Sequence, residues 1–381
     1  MVHAEALFDA FTREGVRFFT GVPDSLLKEF CACVSDSCDK DSHVIAANEG
    51  NAVALATGHH LATGKTAVVY LQNSGIGNAI NPLLSLADPS VYGIPMLLVI
   101  GWRGEPGKKD EPQHQAQGPL TVPLLATMKI PYKILPTSER AALSVMKKLY
   151  AKAKNENRPV ALVVREGTFS PRTVAVKKPK TDARLFTRED ALHVVVPLLP
   201  AGAIVVSTTG KLSREIFELR KGEKAGHDKD FLTVGSMGHA SQIALGIALF
   251  QKERQVYCFD GDGAAIMHLG GWAVVGQTAP KNFKHIVFNN GAHESVGGQL
   301  TAGYSADFKK TALSCGYANA VCVSNPKNLR TEMLRLKKMR GPALIEIRIG
   351  GGSRSDLGRP TRSPAENKRD FMRYVKRAPR T

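Results

Sequence analysis

Asp262 and Asn290 each stand just beyond an apolar run, and a carboxylate beside a carboxamide offers hard oxygen ligands that carry little charge. The runs are 256–259, followed by Asp260-Gly261-Asp262-Gly263, and 285–288, followed by Asn289-Asn290-Gly291. Such a pair suits a Mg²⁺ that keeps phosphate oxygens as its other ligands, so the arrangement asks for a diphosphate. Asp-Gly and Asn-Gly are otherwise ordinary turns. Their joint occurrence, each after an apolar run and with 25 residues between Gly263 and Asn289, is what points to a metal. The glycines are expected to turn the chain tightly against an anion, with Gly263 and Ala264 opening a helix over 264–277. A second polar turn, STTG at 207–210, follows an apolar run, and Thr208, Thr209 and Gly210 offer hydroxyl and main-chain donors to the same diphosphate.

To bring these turns to one edge, the runs must be strands of a parallel sheet, since strand ends converge there. The chain alternates strand and helix patterns twice over, which predicts an α/β protein of two doubly wound parallel-sheet domains. In the first half a helix over 3–14 leads to strands at 16–20, 43–46, 66–71, 96–100 and 159–164. A polar, basic stretch, RTVAVKKPKTDAR (172–184), then separates the halves, giving a first domain at 1–175, a linker at 176–184 and a second domain at 185–381. Thr187 with Glu189 and Asp190 opens a new helix. Strand 203–207, helix 213–219, the small-residue run 235–246, the metal-bearing unit and strand 343–349 complete the second half.

A chain of 381 residues suits two such domains of about 150 to 200 residues. Its apolar runs are far shorter than the roughly 20 residues of a membrane span. The start, MVHAEALFDAFTREG, reads as an amphipathic helix and not as a leader, so a soluble cytoplasmic protein is expected. The six cysteines, among them Cys31, Cys33 and Cys38, lack a second ligand pair for zinc and fit unpaired thiols in a reducing compartment. The net charge of +17 raises the question of nucleic acid. From 327 to 381 there are 16 Lys and Arg against 5 Asp and Glu, so +11 of the total lies in a C-terminal segment without a recognisable nucleic-acid module. A solvated basic face is expected there, and no nucleic-acid or membrane partner. GHHLATGKT (58–66) has the wrong spacing for a phosphate loop, and His59 and His60 read as surface residues.

The GDG and NN pair at this spacing resembles the diphosphate signature of the thiamin diphosphate (ThDP) enzymes. The resemblance implies ThDP and Mg²⁺ as cofactors, with Asp262, Asn290 and the carbonyl of Ala292 on the metal. His293 and Ser295, in NNGAHESVGGQ (289–299), would border the cofactor. Glu49, in HVIAANEGNAVALATG (43–58), falls at the position of the family's catalytic glutamate, whose carboxyl faces N1′ of the aminopyrimidine. Asn73 and Gly75, at the turn SGIGNAI (74–80), would flank that ring. VGSMGH (234–239) would border the bent cofactor through Gly235, Ser236 and Met237, with Met237 as the apolar wedge.

The likeness extends to FFTGVPDSLLK (18–28), YLQNSGIGNAINPL (70–83), GWRGEPGKKDEPQHQAQG (101–118) and DLGRPTRSPAENK (356–368), nearly the whole chain. It is similar to the short ThDP decarboxylases, which have a pyrimidine-type and a diphosphate-type domain and no middle domain. That implies a small 2-oxo acid as substrate, and one with a second anionic group, because Arg103, Lys108 and His114 lie in the loop after strand 96–100. Asp24 and Ser25 sit where family members touch the substrate. Family sites form between the first domain of one subunit and the second of another, which implies a homo-oligomer, at least a dimer. An inactive regulatory member would lack Glu49 or the metal pair; both are here.

Overall fold

The computed structural model describes residues 1–172, 185–222 and 226–377, and the expected linker at 176–184 lies outside them. The chain divides into two units, 1–177 with 296–299 and 178–295 with 300–381. The first holds β1 (Phe19–Gly21), β2 (His43–Ile45), β3 (Ala67–Gln72), β4 (Met96–Gly101), β5 (Tyr132–Ile134) and β6 (Pro159–Val164) in the order β2-β1-β3-β4-β6-β5. The second holds β7 (Ile204–Ser207), β8 (Asp230–Leu232), β9 (Val256–Gly261) and β10 (Phe283–Asn289), then β11 (Ala292–His293) and β12 (Gln299–Leu300) outside the main sheet. It ends with β13 (Asn319–Val323) and β14 (Ala343–Arg348). Its sheet order is β13-β14-β10-β9-β7-β8. Both six-stranded sheets are parallel throughout.

Helices cover both faces of each sheet, which is why the central strands read as unbroken apolar runs. β3 sends Val68 and Tyr70 into one core and Ala67, Val69 and Leu71 into the other. β9 does the same with Tyr257 and Phe259 against Val256 and Cys258. Phe30 shows how tightly such a core is filled: its ring meets those of Phe11, Phe19, Tyr70 and Phe169. Truncating it to Ala would cost about 3–5 kcal/mol.

The structure corrects several boundaries. The strand expected over 16–20 is only Phe19–Gly21. Val16 and Arg17 close the preceding helix instead: the Val16 amide bonds to the Phe11 carbonyl and the Arg17 guanidinium to that of Thr12. The edge strands β5, β8 and β13 and the small β11–β12 pair carry no matching expectation from the sequence. The helix expected over 264–277 is two, Asp262–Met267 and Gly271–Thr278, with a break at His268–Gly270. The tight Asp-Gly turn is absent as well. β9 runs extended through Gly261 (φ −95°, ψ 156°), and the helix begins at Asp262 itself.

Among the described residues no helix is long and apolar enough to cross a membrane. All six cysteines are free. The basic C-terminal segment carries the helices Pro326–Lys338 and Pro364–Val375 on either side of β14.

Candidate active site

In the second unit four neighbouring strands, β10, β9, β7 and β8, end at one edge and deliver Asn289–Asn290, Asp262, Thr208–Gly210 and Gly235–Met237 in that order. Asp262 is 2% exposed, and burial pushes its carboxyl up to about 6, against hydrogen bonds that pull the other way. Those bonds come from the Thr301 hydroxyl and from main-chain amides, including that of Asn290. Among the described residues no cation pairs with it. A buried carboxylate held only by neutral donors is what a divalent cation would stabilise, so the donor set fits Mg²⁺.

Asn289 is fully occupied: its amide donates to the Gly303 carbonyl (2.8 Å) and to Glu346 Oε1 (2.8 Å), and its Oδ1 accepts from the Gly291 amide (3.1 Å). It braces the strand end. The neighbouring Asn290 Oδ1 accepts from the Ala292 amide (3.1 Å) and so folds the loop back towards Asp262. His293 then packs on Gly263, where a Cβ would lie 2.9 Å from its ring. That close approach, not a turn, is why residue 263 lacks a side chain. Burial lowers His293 to about 4, leaving a neutral imidazole. Ser295 is exposed, near Gly210.

The β7 turn is partly committed to its own fold. Thr208 is buried, its carbonyl accepts from Ser213 Oγ (2.6 Å), and Thr209 Oγ1 accepts from the Gly235 amide (3.1 Å). Gly235, Ser236 and Gly238 all take left-handed backbone (φ +69°, +46°, +86°), a strained path for Ser236 that holds Met237 part-exposed instead of in the core.

In the first unit β2, β1, β3 and β4 also end side by side. Glu49 is the first residue of the helix Glu49–Thr63, which is capped by Asn48 Oδ1 on the Asn51 amide (2.9 Å). Glu49 is 6% exposed, and its carboxyl accepts from Asn78 Nδ2 at Oε2 (2.8 Å). Its Oε1 lies over Gly75, where any Cβ would overlap the carboxyl.

Asn73, expected to flank the cofactor ring, has its side chain engaged elsewhere. Its Nδ2 donates to the Arg103 carbonyl (2.9 Å) and to Thr121 Oγ1 (2.8 Å), while its Oδ1 accepts from the Arg103 amide (3.1 Å). Only its main chain remains for a ligand. Asp24, expected to touch substrate, is fully buried and accepts from Gln72 Nε2 (2.5 Å) and the Leu26 amide (3.2 Å). It shapes the loop that carries Ser25.

Arg103 is part-exposed and already oriented. Nε and Nη2 grip Asp110 (2.8 and 2.5 Å), and Nη1 donates to Ser25 Oγ (2.8 Å). Burial raises Asp110, but the Arg103 fork and the amides of Glu111 and Gly104 outweigh it and hold the carboxyl well below its usual range. His114 is buried, its Nδ1 has no partner, and burial followed by the Arg103 charge lowers its pKa. Lys108 is exposed and pairs with Glu105 (3.2 Å), so its ammonium is engaged away from the Arg103–Asp110 pair.

Sequence reasoning missed Asn78, Thr301 and Asp110. Thr301 lies 39 residues beyond Asp262 and carries no spacing signal. Asn78, one helical turn past Gly75, was visible only once Glu49 was known to lie against that turn.

Two family models match the chain: the thiamine pyrophosphate enzyme N-terminal TPP binding domain over residues 1–123 and the C-terminal TPP binding domain over 209–347. The chain is 35% identical to a phosphonopyruvate decarboxylase of Streptomyces viridochromogenes, over 100% of this chain and 96% of that one. It is 34% identical to a phosphonopyruvate decarboxylase of Streptomyces hygroscopicus, over 98% and 94%. It is 27% identical to a sulfopyruvate decarboxylase of Methanosarcina acetivorans, over 96% of each. Matched end to end by such relatives, and by a cofactor-domain model on each of its two sheets, the chain belongs to the thiamine pyrophosphate (ThDP) enzyme family.

Proposed function

We propose that this chain decarboxylates 3-phosphonopyruvate to phosphonoacetaldehyde and CO₂ with ThDP and Mg²⁺, as a cytoplasmic homo-oligomer of at least two chains. The observation that carries the reading is the strand-end edge of the first unit. There the segment Asn73–Asn78 contacts both a buried carboxyl, Glu49, and the main chain of a fixed guanidinium, Arg103. A 2-oxo acid with a second anion needs both groups. The two Streptomyces relatives support phosphonopyruvate as that acid, and the Methanosarcina relative makes sulfopyruvate the competing one.

When bound, ThDP would supply a carbon nucleophile and, in its cationic thiazolium ring, a sink for the electron pair left as CO₂ departs. The chain supplies the rest. Asp262, Asn290 and the Ala292 carbonyl would hold Mg²⁺, and Thr209, Gly210, Gly263 and Ala264 would donate to the diphosphate. Met237 would support the bent cofactor between its rings. Asn78 fixes Oε2 of Glu49, which leaves Oε1, over Gly75, as the oxygen that would exchange a proton with N1′. Arg103 keeps N–H donors on both terminal nitrogens beyond its bonds to Asp110 and Ser25, enough to grip a phosphonate side by side with His114.

A product assay on phosphonopyruvate, sulfopyruvate and pyruvate tests the substrate. Pyruvate leaves the Arg103 donors unpaired, and Arg103→Ala removes a charge-assisted contact of about 1.5–3 kcal/mol. kcat/KM for phosphonopyruvate therefore falls roughly ten- to hundredfold, while the slow pyruvate reaction changes little. Arg103→Ala/Asp110→Ala, which also removes the stranded carboxylate, gives the same split. Equal loss on both substrates would assign Arg103 to the shared carboxylate instead.

The assembly has its own test. Mixing inactive Glu49→Gln and Asp262→Ala chains, unfolded and refolded together, regains activity if one chain supplies Glu49 and another Asp262. Mixtures that stay dead sink the shared-site reading.

A further inference from the structure

The loop after β10 carries Asn290 and Ala292, two of the proposed metal ligands, and His293; β11 within it pairs with β12, and the Ala292 amide bonds to Asn290 Oδ1. Gly291 takes left-handed backbone (φ +67°), and its carbonyl accepts from the Thr301 amide (2.9 Å). The next side chain, Glu294, is turned the other way and is largely buried, 14% exposed. Its Oε2 accepts from Arg188 Nη1 (2.9 Å), and its Oε1 accepts from the Gly352 amide.

Arg188 itself is anchored twice over. It is the first residue of the helix Arg188–Leu198, which is fixed by a reciprocal cap between Thr187 and Asp190. Its Nε and Nη2 form a fork on Glu215 (2.7 and 2.7 Å), a residue 2% exposed in the helix Lys211–Gly222. Gly352 belongs to the stretch after β14, which is bound to the same two helices: Arg354 pairs with Glu189 (2.9 Å) and Glu218, and the Gly358 amide donates to Glu218 Oε1 (2.7 Å). Glu294 thus ties the cofactor loop to a framework that the first helix of the unit and the C-terminal segment already form with each other.

We propose that Glu294 is a positioning residue for the metal centre, held by Arg188 and the Gly352 amide so that the Ala292 carbonyl and His293 keep their place beside Asp262. This rests on the reading of Asp262, Asn290 and Ala292 as the Mg²⁺ site. Glu294 touches neither metal nor substrate; it acts through the backbone two residues away. Glu215 already neutralises Arg188, so the requirement on residue 294 is for two acceptor bonds and correct length more than for charge.

Glu294→Ala and Glu294→Gln separate this role from a merely structural one. Outer partners of metal sites are typically worth about 10- to 100-fold in affinity. The Ala variant should therefore need 10- to 100-fold more Mg²⁺ and ThDP to reach half the fluorescence change and the thermal shift that the cofactors produce in the parent. Its kcat at saturating cofactor should stay close to that of the parent. The Gln variant keeps one acceptor oxygen and sets a donor amide against the other bond, so it should recover only part of the affinity. Unchanged cofactor affinity in Glu294→Ala, with only the melting temperature of the cofactor-free chain lowered, overturns the proposal and leaves the metal site standing if Asp262→Ala still loses the cofactor. If Asp262→Ala also binds normally, the metal reading fails and this inference with it.

Discussion

Asp262→Ala loses ThDP and Mg²⁺ while the chain stays folded. The side chain is the only charge the proposed ligand set offers, and the Asn290 carboxamide and the Ala292 carbonyl cannot replace it. Removing one partner of a buried charge pair typically costs about 3–5 kcal/mol, which is roughly two to four orders of magnitude in affinity. Without cofactor the sign reverses. Burial raises the Asp262 carboxyl to about 6, above its unfolded value near ~3.9, so its contribution to stability is present below pH ~4 and lost as pH rises through about 6. At pH 7 that shift of roughly two units amounts to about 2–3 kcal/mol of destabilisation. Asp262→Asn, which keeps the shape and a partner for Thr301, should therefore melt at a higher temperature than the parent in the absence of cofactor. Calorimetry on the cofactor-free chains and titration with ThDP and Mg²⁺ check both halves; tight binding by Asp262→Ala would remove this residue from the metal.

Glu49→Gln binds the cofactor as the parent does, yet exchanges the ThDP C2 proton about 10²- to 10⁴-fold more slowly. The substitution preserves size and the bond from Asn78, whose Nδ2 donates as well to a carboxamide oxygen as to Oε2. It then leaves an amide nitrogen over Gly75 where the exchanging oxygen stood. An amide cannot take up and return a proton near neutrality, so decarboxylation falls with exchange. Deuterium incorporation at C2 reads the step without substrate. Exchange at the parent's rate would show that another group does this work, whatever happens to turnover.

What the sequence made legible follows from what each residue needs of its neighbours. The central strands stood out because both faces are buried, so β3, β4 and β6 read as unbroken apolar runs. β5 and β8 were hidden because each is a three-residue edge strand, one exposing Lys133 and the other opening on Asp230, which is buried against Arg220. Hard oxygen ligands beyond apolar strands brought out Asp262 and Asn290 as a pair. The same reasoning could not show that the side chains of Asn73 and Asp24 are bonded within the fold, since a polar side chain at a strand end looks available until its partners are known. Partners distant in sequence, such as Thr301 for Asp262 or Arg188 for Glu294, leave no local pattern. They are set by how loops cross, and only the folded chain reveals them.

The way Asn73 holds Arg103 has a consequence for how such a site changes over time. It grips the main chain of residue 103, amide and carbonyl alike, while the guanidinium bonds to Asp110 and Ser25. The anchor is therefore blind to the identity of the side chain. On the proposed roles, residue 103 can be exchanged, and with it residue 110 where the Gly104 amide keeps an acceptor, without disturbing the turn that seats Glu49 against Gly75 and Asn78. Selectivity would then be the replaceable part and proton exchange the permanent one. A library randomised at 103 and 110 should accordingly yield chains that differ in the acid they prefer and share one rate of C2 proton exchange.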